Sequence, residues 1–380
     1  MRRGSAVAST VAIAAAFLGV PQVANAARPR CLGARATILG TAKADVLKGT
    51  SGNDVIVGLG GDDVVKGLRG ADRVCGGKGS DSVAGSAGAD LLEGDGGRDT
   101  LRGATGSDFL VGGPGADALK GGAGVGDLAS YVASPRAISV DLSAGTARGD
   151  GFDRLFGIED VDGSGSDDVI TGNGASNFLY GEGGDDTLSG GAGDRDGLWG
   201  GSGNDALDGG PGEDFASFYL SPVGVTANLT TGSATGEGTD TLTGIEDLAG
   251  SKHDDAFTGD AGSNVFWSSL GDDTLDGSLG VDTVSYEFAA TPVVVDLSMG
   301  TASGEGADTL SGLEDVIGSP FDDVLTGDAG PNTIEGSAGD DTLSGSDGND
   351  SLTGGDGTDN LDGGAGTDAC DGETEVNCEA

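Results

Sequence analysis

Gly76-Gly77-Lys78-Gly79-Ser80-Asp81-Ser82-Val83 is the stretch that decides how this chain is to be read. Two glycines, a variable residue, a third glycine, an aspartate two places on and an aliphatic side chain two places after that recur along the chain at one fixed interval. From Gly40, glycine falls on every ninth residue: 40, 49, 58, 67, 76, 85, 94, 103, 112 and 121. Aspartate follows five residues later, at Asp45, Asp54, Asp63, Asp72, Asp81, Asp90, Asp99, Asp108 and Asp117. Two further on stand Leu47, Ile56, Val65, Val74, Val83, Leu92, Leu101, Leu110 and Leu119. A period held this long without a gap is the signature of a solenoid.

The same spacing returns over 163–217, with Asp168, Asn177, Asp186, Asp196, Asp205 and Asp214 at the acidic position. It returns over 250–285 with Asp255, Asn264, Asp273 and Asp282, and over 318–371 with Asp323, Asn332, Asp341, Asp350, Asp359 and Asp368. A longer repeat joins these runs, since 127–181, 214–268 and 282–336 align without a gap. Each copy opens with an aspartate and an aromatic four residues on (Asp127/Tyr131, Asp214/Phe218, Asp282/Tyr286), and later carries Glu159, Glu246 or Glu314 before an aspartate. Each also has an alternating stretch, as in Val140-Asp141-Leu142 and Val295-Asp296-Leu297, with Ala227-Asn228-Leu229 in the middle copy. Eighteen residues separate the centre of that stretch from the glutamate in all three copies, twice the basic period, so these segments read as further solenoid turns without metal loops. A separate inserted domain is the other reading.

Three residues with one inward aliphatic make a short strand. The other six, rich in glycine and ending in aspartate, make a turn in which glycine supplies positive φ. Two units complete one turn of a flattened coil. Ordering nine backbones costs far more than burying one Leu or Val returns. Stacked carboxylates one strand spacing apart add repulsion. A cation must therefore neutralise the aspartates and tie the turns together. Ca²⁺ fits, because it takes six to eight oxygen ligands and mixes carboxylates with backbone carbonyls. Mg²⁺ holds its waters, and transition metals call for the His and Cys that are scarce here.

These residues resemble the RTX family of haemolysin-type calcium-binding nonapeptide repeats, GGxGxDxUx with U aliphatic. Besides 76–83, Gly200-Gly201-Ser202-Gly203-Asn204-Asp205-Ala206-Leu207 and Gly354-Gly355-Asp356-Gly357-Thr358-Asp359-Asn360-Leu361 carry the match, and the resemblance covers most of 40–371. It implies an all-β chain forming a right-handed parallel β-roll, a β-solenoid with Ca²⁺ held between a loop and its equivalent one turn on. The ligands it implies are the sixth-position aspartates named above, with loop carbonyls. Two departures stand out. The second glycine is replaced at Thr50, Leu59, Leu68 and Ser86, which loosens those loops, and Asn177, Asn264 and Asn332 offer neutral oxygens, so weak or empty sites are expected there.

Composition agrees with a cation partner. The chain has 380 residues, 78 Gly, 63 Asp plus Glu and 19 Lys plus Arg, a formal charge of −44. Without the repeat this would read as a disordered acidic chain. Such charge excludes nucleic acid and anionic lipid as expected partners. Arg2 and Arg3, the apolar Val7–Val20 and Ala24-Asn25-Ala26 read as a secretory signal cleaved after residue 26. The apolar run is short for a membrane anchor, and no later stretch is apolar enough to span. Signal removal takes the formal charge to −46. The protein is expected to be secreted and extracellular. Cys31, Cys75, Cys370 and Cys378 then suggest disulfides Cys370–Cys378, near neighbours, and Cys31–Cys75 by elimination, in preference to a zinc site. The domain organisation expected is a signal peptide over 1–26, a cap over 27–39, a first roll over 40–126, and interrupting strands with a second run over 127–217. A second copy with the third run (218–285), a third copy with the fourth (286–371) and a disulfide-closed tail (372–380) complete it.

No catalytic residue is expected. His253, the one histidine, sits in a loop beside Asp254 and Asp255, there is no HExxH, and paired carboxylates recur too often to mark a glycosidase site. The expected function is a secreted scaffold that folds on binding several Ca²⁺ ions. A surface adhesin with a polysaccharide or cell-surface partner is one alternative, an RTX-associated hydrolase, lyase or epimerase the other. Trp199 and Trp267 could contact carbohydrate, or simply cover an edge.

Overall fold

The computed structural model describes residues 29–378, so the expected signal peptide lies outside the described residues. They divide into two compact units, with the chain boundary between Gly212 and Glu213. No helix occurs among the described residues, and hence none long and apolar enough to cross a membrane.

In the first unit successive strands alternate between two parallel sheets. One holds Val46–Lys48, Val64–Arg69, Ser82–Ala87, Thr100–Thr105 and Ala118–Ala123. The other holds Ile38–Leu39, Val55–Gly60, Arg73–Lys78, Leu91–Gly96, Phe109–Val111 and Leu128–Ser130. Register sets the coil: Leu101 pairs with Val83 on one side and Leu119 on the other, each eighteen residues away. Two nine-residue units thus make one turn, and every inward aliphatic lands on the one before it. Val65, Val83, Leu101 and Leu119, with Ile56, Val74, Leu92 and Leu110 on the other sheet, are fully buried. Their neighbours in sequence point outward, the two-residue alternation of a strand. Each unit is therefore a parallel β-solenoid with a one-residue-wide core on each sheet.

The turns carry unusual backbone. Leu59, Leu68 and Ser86 stand where the repeat has its second glycine, and all keep that glycine's left-handed conformation, at φ 81°, 93° and 93°. The loop geometry is imposed on side chains that disfavour it, a local strain borne by the ladder on either side. Thr50 is different. It is absent from the left-handed set and bonds the nearby Asp54 carboxylate through its N–H and its hydroxyl.

At the N-terminal end a hairpin of Arg30–Cys31 and Ala34–Arg35 is fixed by the Cys31–Cys75 disulfide and packs with Ala36 and Val57. The second disulfide is Cys370–Cys378.

The long repeat stays within the sheet but changes its direction. Phe152–Phe156 pairs parallel with Ala118–Ala123, Thr146–Arg148 runs antiparallel to it, and Ser139–Asp141 runs antiparallel to that. Ser139–Asp141 then pairs parallel with Val169–Asn173, where the nonapeptides resume. The expectation of further ordinary turns is thus modified: one excursion of chain supplies three rungs by folding back on itself. The alternating pattern of 139–141 marks a strand without revealing its partner's direction. On the opposite sheet Leu128–Ser130 pairs directly with Asp160–Asp162, so that sheet gains no extra rung.

The second unit repeats this plan. Thr274–Asp276, Ala307–Ser311, Thr301–Ser303, Val294–Asp296 and Val324–Thr326 follow one another across a sheet with the same reversal. Val284, Val316 and Ile334 stack in the facing row, all fully buried.

Because the core is a single file, a cavity there has no second layer to collapse into. Leu101→Ala is expected to cost about 2–5 kcal/mol in excess calcium. The outward Thr100→Ala should cost no more than about 0.5 kcal/mol. Chemical denaturation of both variants checks the difference.

Candidate metal centres

The sixth-position aspartates form columns along the turns. Along the uninterrupted runs the backbone N–H of one donates to Oδ1 of the aspartate eighteen residues on: Asp63 to Asp81 at 2.7 Å, Asp72 to Asp90 at 2.9 Å, Asp81 to Asp99 at 2.7 Å, Asp99 to Asp117 at 2.7 Å. In the second unit Asp323 donates to Asp341, and Asp341 to Asp359. The ladder fixes one carboxylate oxygen on the backbone and turns the other into the loop.

That second oxygen is the informative one. Oδ2 of Asp63, Asp72, Asp81, Asp90, Asp99, Asp108, Asp117, Asp186, Asp282, Asp341, Asp350 and Asp359 is buried with no hydrogen-bond partner among the described residues. Native proteins rarely leave buried carboxylate oxygens unpartnered, since an unpaired buried charge is costly. The surroundings are oxygens as well. A Cβ added to Gly94 would stand 2.6 Å from both Asp99 Oδ2 and the carbonyl oxygen of Gly112, one turn on. Glycine at that position leaves a space lined by a carboxylate oxygen and a carbonyl from the next coil, the ligand mixture a hard cation such as Ca²⁺ takes. The residues present fit the ion.

Electrostatics point the same way. Burial pushes Asp90, Asp99 and Asp186 up to about 7, and Asp108, Asp117, Asp282 and Asp341 up to about 6. The backbone N–H on Oδ1 pulls each down in part, and neighbouring carboxylates push it further up. Without a cation these groups resist the charge they need to carry.

The other expected ligands are placed in three ways. Asp196, Asp205, Asp214 and Asp368 are buried in the same columns. Their Oδ1 atoms accept from Asn177 in the case of Asp196, Asp186 for Asp205 and Asp350 for Asp368. Asp45, Asp54, Asp168, Asp255 and Asp323 have their second oxygen held by the chain. Thr41 and Thr50 donate to Asp45 and Asp54 through N–H and hydroxyl, and Ser164, Ser251 and Ser319 donate their N–H groups to Asp168, Asp255 and Asp323 at 2.5–2.6 Å. Asp273 accepts from Ser268 Oγ at 2.7 Å. At these six positions a hydroxyl or amide stands where the orphaned oxygens elsewhere face open loop.

The asparagines complete the contrast. Nδ2 of Asn177, Asn264 and Asn332 donates at 2.7–2.8 Å to the carbonyls of Glu159, Glu246 and Glu314. An amide proton there occupies the carbonyl lone pair that a cation would use.

Several column members escaped the sequence reading. Asp153 and Asp308 accept the N–H of Asp117 and Asp273 on Oδ1, continuing the ladder across the interruption. Their Oδ2 atoms accept from the hydroxyls of Tyr131 (3.2 Å) and Tyr286 (2.7 Å). Glu159, Glu246 and Glu314 accept the N–H of Asp127, Asp214 and Asp282 in the same manner. The signal was present: Asp153-Arg154-Leu155 and Asp308-Thr309-Leu310 keep the Asp-x-aliphatic spacing of the nonapeptide. The first member of each Asp-Asp pair also has a task, since Asp62, Asp167 and Asp322 accept the N–H of Ser80, Asp185 and Asp340 one turn on. Trp199 and Trp267 are buried, the first stacked on Tyr180 at 4.6 Å and the second donating to Glu287 Oε1.

Comparison with known proteins gives a family for this geometry. The family model described as RTX calcium-binding nonapeptide repeat (4 copies) matches residues 39–126, 162–216, 250–284 and 317–370, more than half of the chain. The unmatched stretches between those runs are the antiparallel excursions. No curated protein matches the chain.

Two expectations follow from the site. A carboxyl raised from 3.8 to about 7 favours the folded metal-free form below the lower value and loses that advantage as pH rises through the upper one. The metal-free protein should therefore retain more β-structure near pH 4 than near pH 7.5, while calcium affinity rises across the same window as the competing proton leaves. Circular dichroism and calcium titration at several pH values check both. Tyr286→Phe, which removes the Tyr286 hydroxyl from Asp308 Oδ2, should cost about 1–3 kcal/mol in a denaturant melt.

Proposed function

The chain belongs to the RTX calcium-binding nonapeptide repeat family, and from that premise we propose that it is a secreted scaffold whose β-roll folds around several Ca²⁺ ions. One observation carries the reading: a run of buried aspartates, each with one oxygen tied to the backbone and the other left without a partner. The proposed ligands are the orphaned carboxylates of Asp63 through Asp117, with Asp186, Asp282, Asp341, Asp350 and Asp359, each completed by loop carbonyls of the adjoining turn. Asp196, Asp205, Asp214 and Asp368 join them as members of the same columns. Asp45, Asp54, Asp168, Asp255, Asp273 and Asp323 are weaker candidates, since Thr or Ser donors already engage them.

Export is supported by the two disulfides, which belong to oxidising compartments, and by the N-terminal signal pattern. A scaffold is favoured over an enzyme because the repeats and their excursions occupy nearly the whole chain. His253 is an exposed loop residue whose backbone N–H donates to Ser251 Oγ.

Folding and binding are then one equilibrium. Far-ultraviolet circular dichroism is expected to show a largely disordered chain in chelator and a cooperative gain of β-structure as calcium is raised to millimolar levels. Superimposable spectra with and without calcium would overturn the proposal.

A further inference from the structure

Over the six parallel strands from Val46–Lys48 to Phe152–Phe156, the outward face of one sheet in the first unit carries a charge opposite to that of the molecule. At the third position of its strands Lys48 pairs with Lys66, Lys66 with Ala84, Ala84 with Arg102, Arg102 with Lys120 and Lys120 with Phe156. The accompanying first-position residues are Val46, Val64, Ser82, Thr100, Ala118 and Arg154. No Asp or Glu occurs at either outward position across these six strands. The row continues onto the antiparallel strand, where Arg148 lies opposite Phe152 with its guanidinium 4.6 Å from the ring centroid. Lys120 Nζ stands 5.3 Å from the centre of the Phe156 ring. Lys48, Lys66, Arg102, Arg154 and Arg148 are exposed, and Phe152 and Phe156 are 38% and 50% exposed.

This placement is selective. All but one of the chain's 19 Lys and Arg precede residue 213, Lys252 being the exception. A strip of cations, one to a rung except at Ala84 and ending in two half-exposed aromatic rings, runs for roughly 29 Å along the sheet. Cations in a line suit a linear polymer that carries repeated anionic groups. Aromatic rings beside them suit the apolar faces of sugar rings. The disulfides place the protein where such polymers, rather than nucleic acids, are met. Calcium adds to the match: each ion in the columns brings two positive charges to the same unit and cancels the repulsion its aspartates would exert on an anion.

We infer that this face, centred on Lys48, Lys66, Arg102 and Lys120 and ending at Phe152 and Phe156, is a docking surface for an acidic polysaccharide. The inference rests on the scaffold reading above and names its partner. The test uses the full secreted chain in millimolar calcium, with heparin as the probe and neutral dextran as control. Heparin carries uronate carboxylates as well as sulfates, so calcium at the loops can also bridge it, and the charge variants separate that route from the face. Wild type should bind heparin, ignore dextran and weaken as salt rises. Lys48→Glu/Lys66→Glu/Arg102→Glu/Lys120→Glu should lower heparin affinity roughly tenfold or more, because each lost cation removes a released counterion. The corresponding quadruple Gln variant, gentler on the fold, should fall between the two. Equal affinity of wild type and both variants would mean that binding runs through calcium at the loops, and the proposal fails. It fails also if wild type does not bind, if single-stranded DNA is held more tightly than heparin, or if sedimentation shows the face occupied by a second copy. Circular dichroism on the same samples reports calcium-driven folding alone, so failure of the scaffold reading is seen there and not in the heparin affinity.

Discussion

A carboxylate has two oxygens, and in this protein the backbone takes only one. Within the regular runs Oδ1 of a column aspartate accepts the N–H of its counterpart one turn earlier, which satisfies a backbone donor at the corner between loop and strand. The same bond fixes the carboxylate's rotation and leaves Oδ2 aimed at a space that only glycine keeps open. Repeating this at every rung builds a line of negative oxygens inside a coil whose apolar core is one residue wide. The ladder needs the carboxylates as acceptors, and the carboxylates need a cation.

The chain also contains its own substitutes for that cation. At Asn177, Asn264 and Asn332 an amide proton meets the carbonyl, at Asp168, Asp255 and Asp323 a serine N–H meets the second oxygen, and at Asp153 and Asp308 a tyrosine hydroxyl does so. These replacements cluster in and just after the antiparallel excursions. In a solenoid each turn touches only its neighbours, so stability is set locally and can vary along the chain. Runs that need metal therefore alternate with short stretches held by the chain's own donors.

Much of this was legible in the sequence, and the reasons are physical. A period of nine constrains backbone and side chain together, so Asp99 and Leu101 could be assigned to a loop corner and to the core without any structure. Chemistry alone called for a hard cation. What stayed hidden were features that depend on partners distant in sequence. The pattern of 139–141 marks a strand but is silent on whether its neighbour runs parallel or antiparallel. Asp168 and Asp90 look alike in the repeat, yet one oxygen of Asp168 is taken by Ser164, while Ser86 at the same place before Asp90 adopts the left-handed conformation and leaves Asp90 Oδ2 without a partner. Tyr131 and Asp153 meet across twenty-two residues through a reversal that no periodicity foretells.

Charge follows from the same geometry. A chain at −44 should repel itself into disorder, and a glycine content of 78 residues should make ordering worse. Both properties become assets once cations occupy the columns, since glycine clears the space and aspartate supplies the oxygens. The acidic residues so used are buried, at 0–3% exposure for Asp63 through Asp117, and no longer define the outer surface. What solvent meets on the outer face of that sheet is set instead by the first and third residues of each strand, which the loop chemistry leaves free to vary. Lys48, Lys66, Arg102 and Lys120 occupy such positions, so a protein whose composition argues against anionic partners can still present a cationic face to one. Net charge describes the sum, whereas recognition depends on which residues the rungs turn outward.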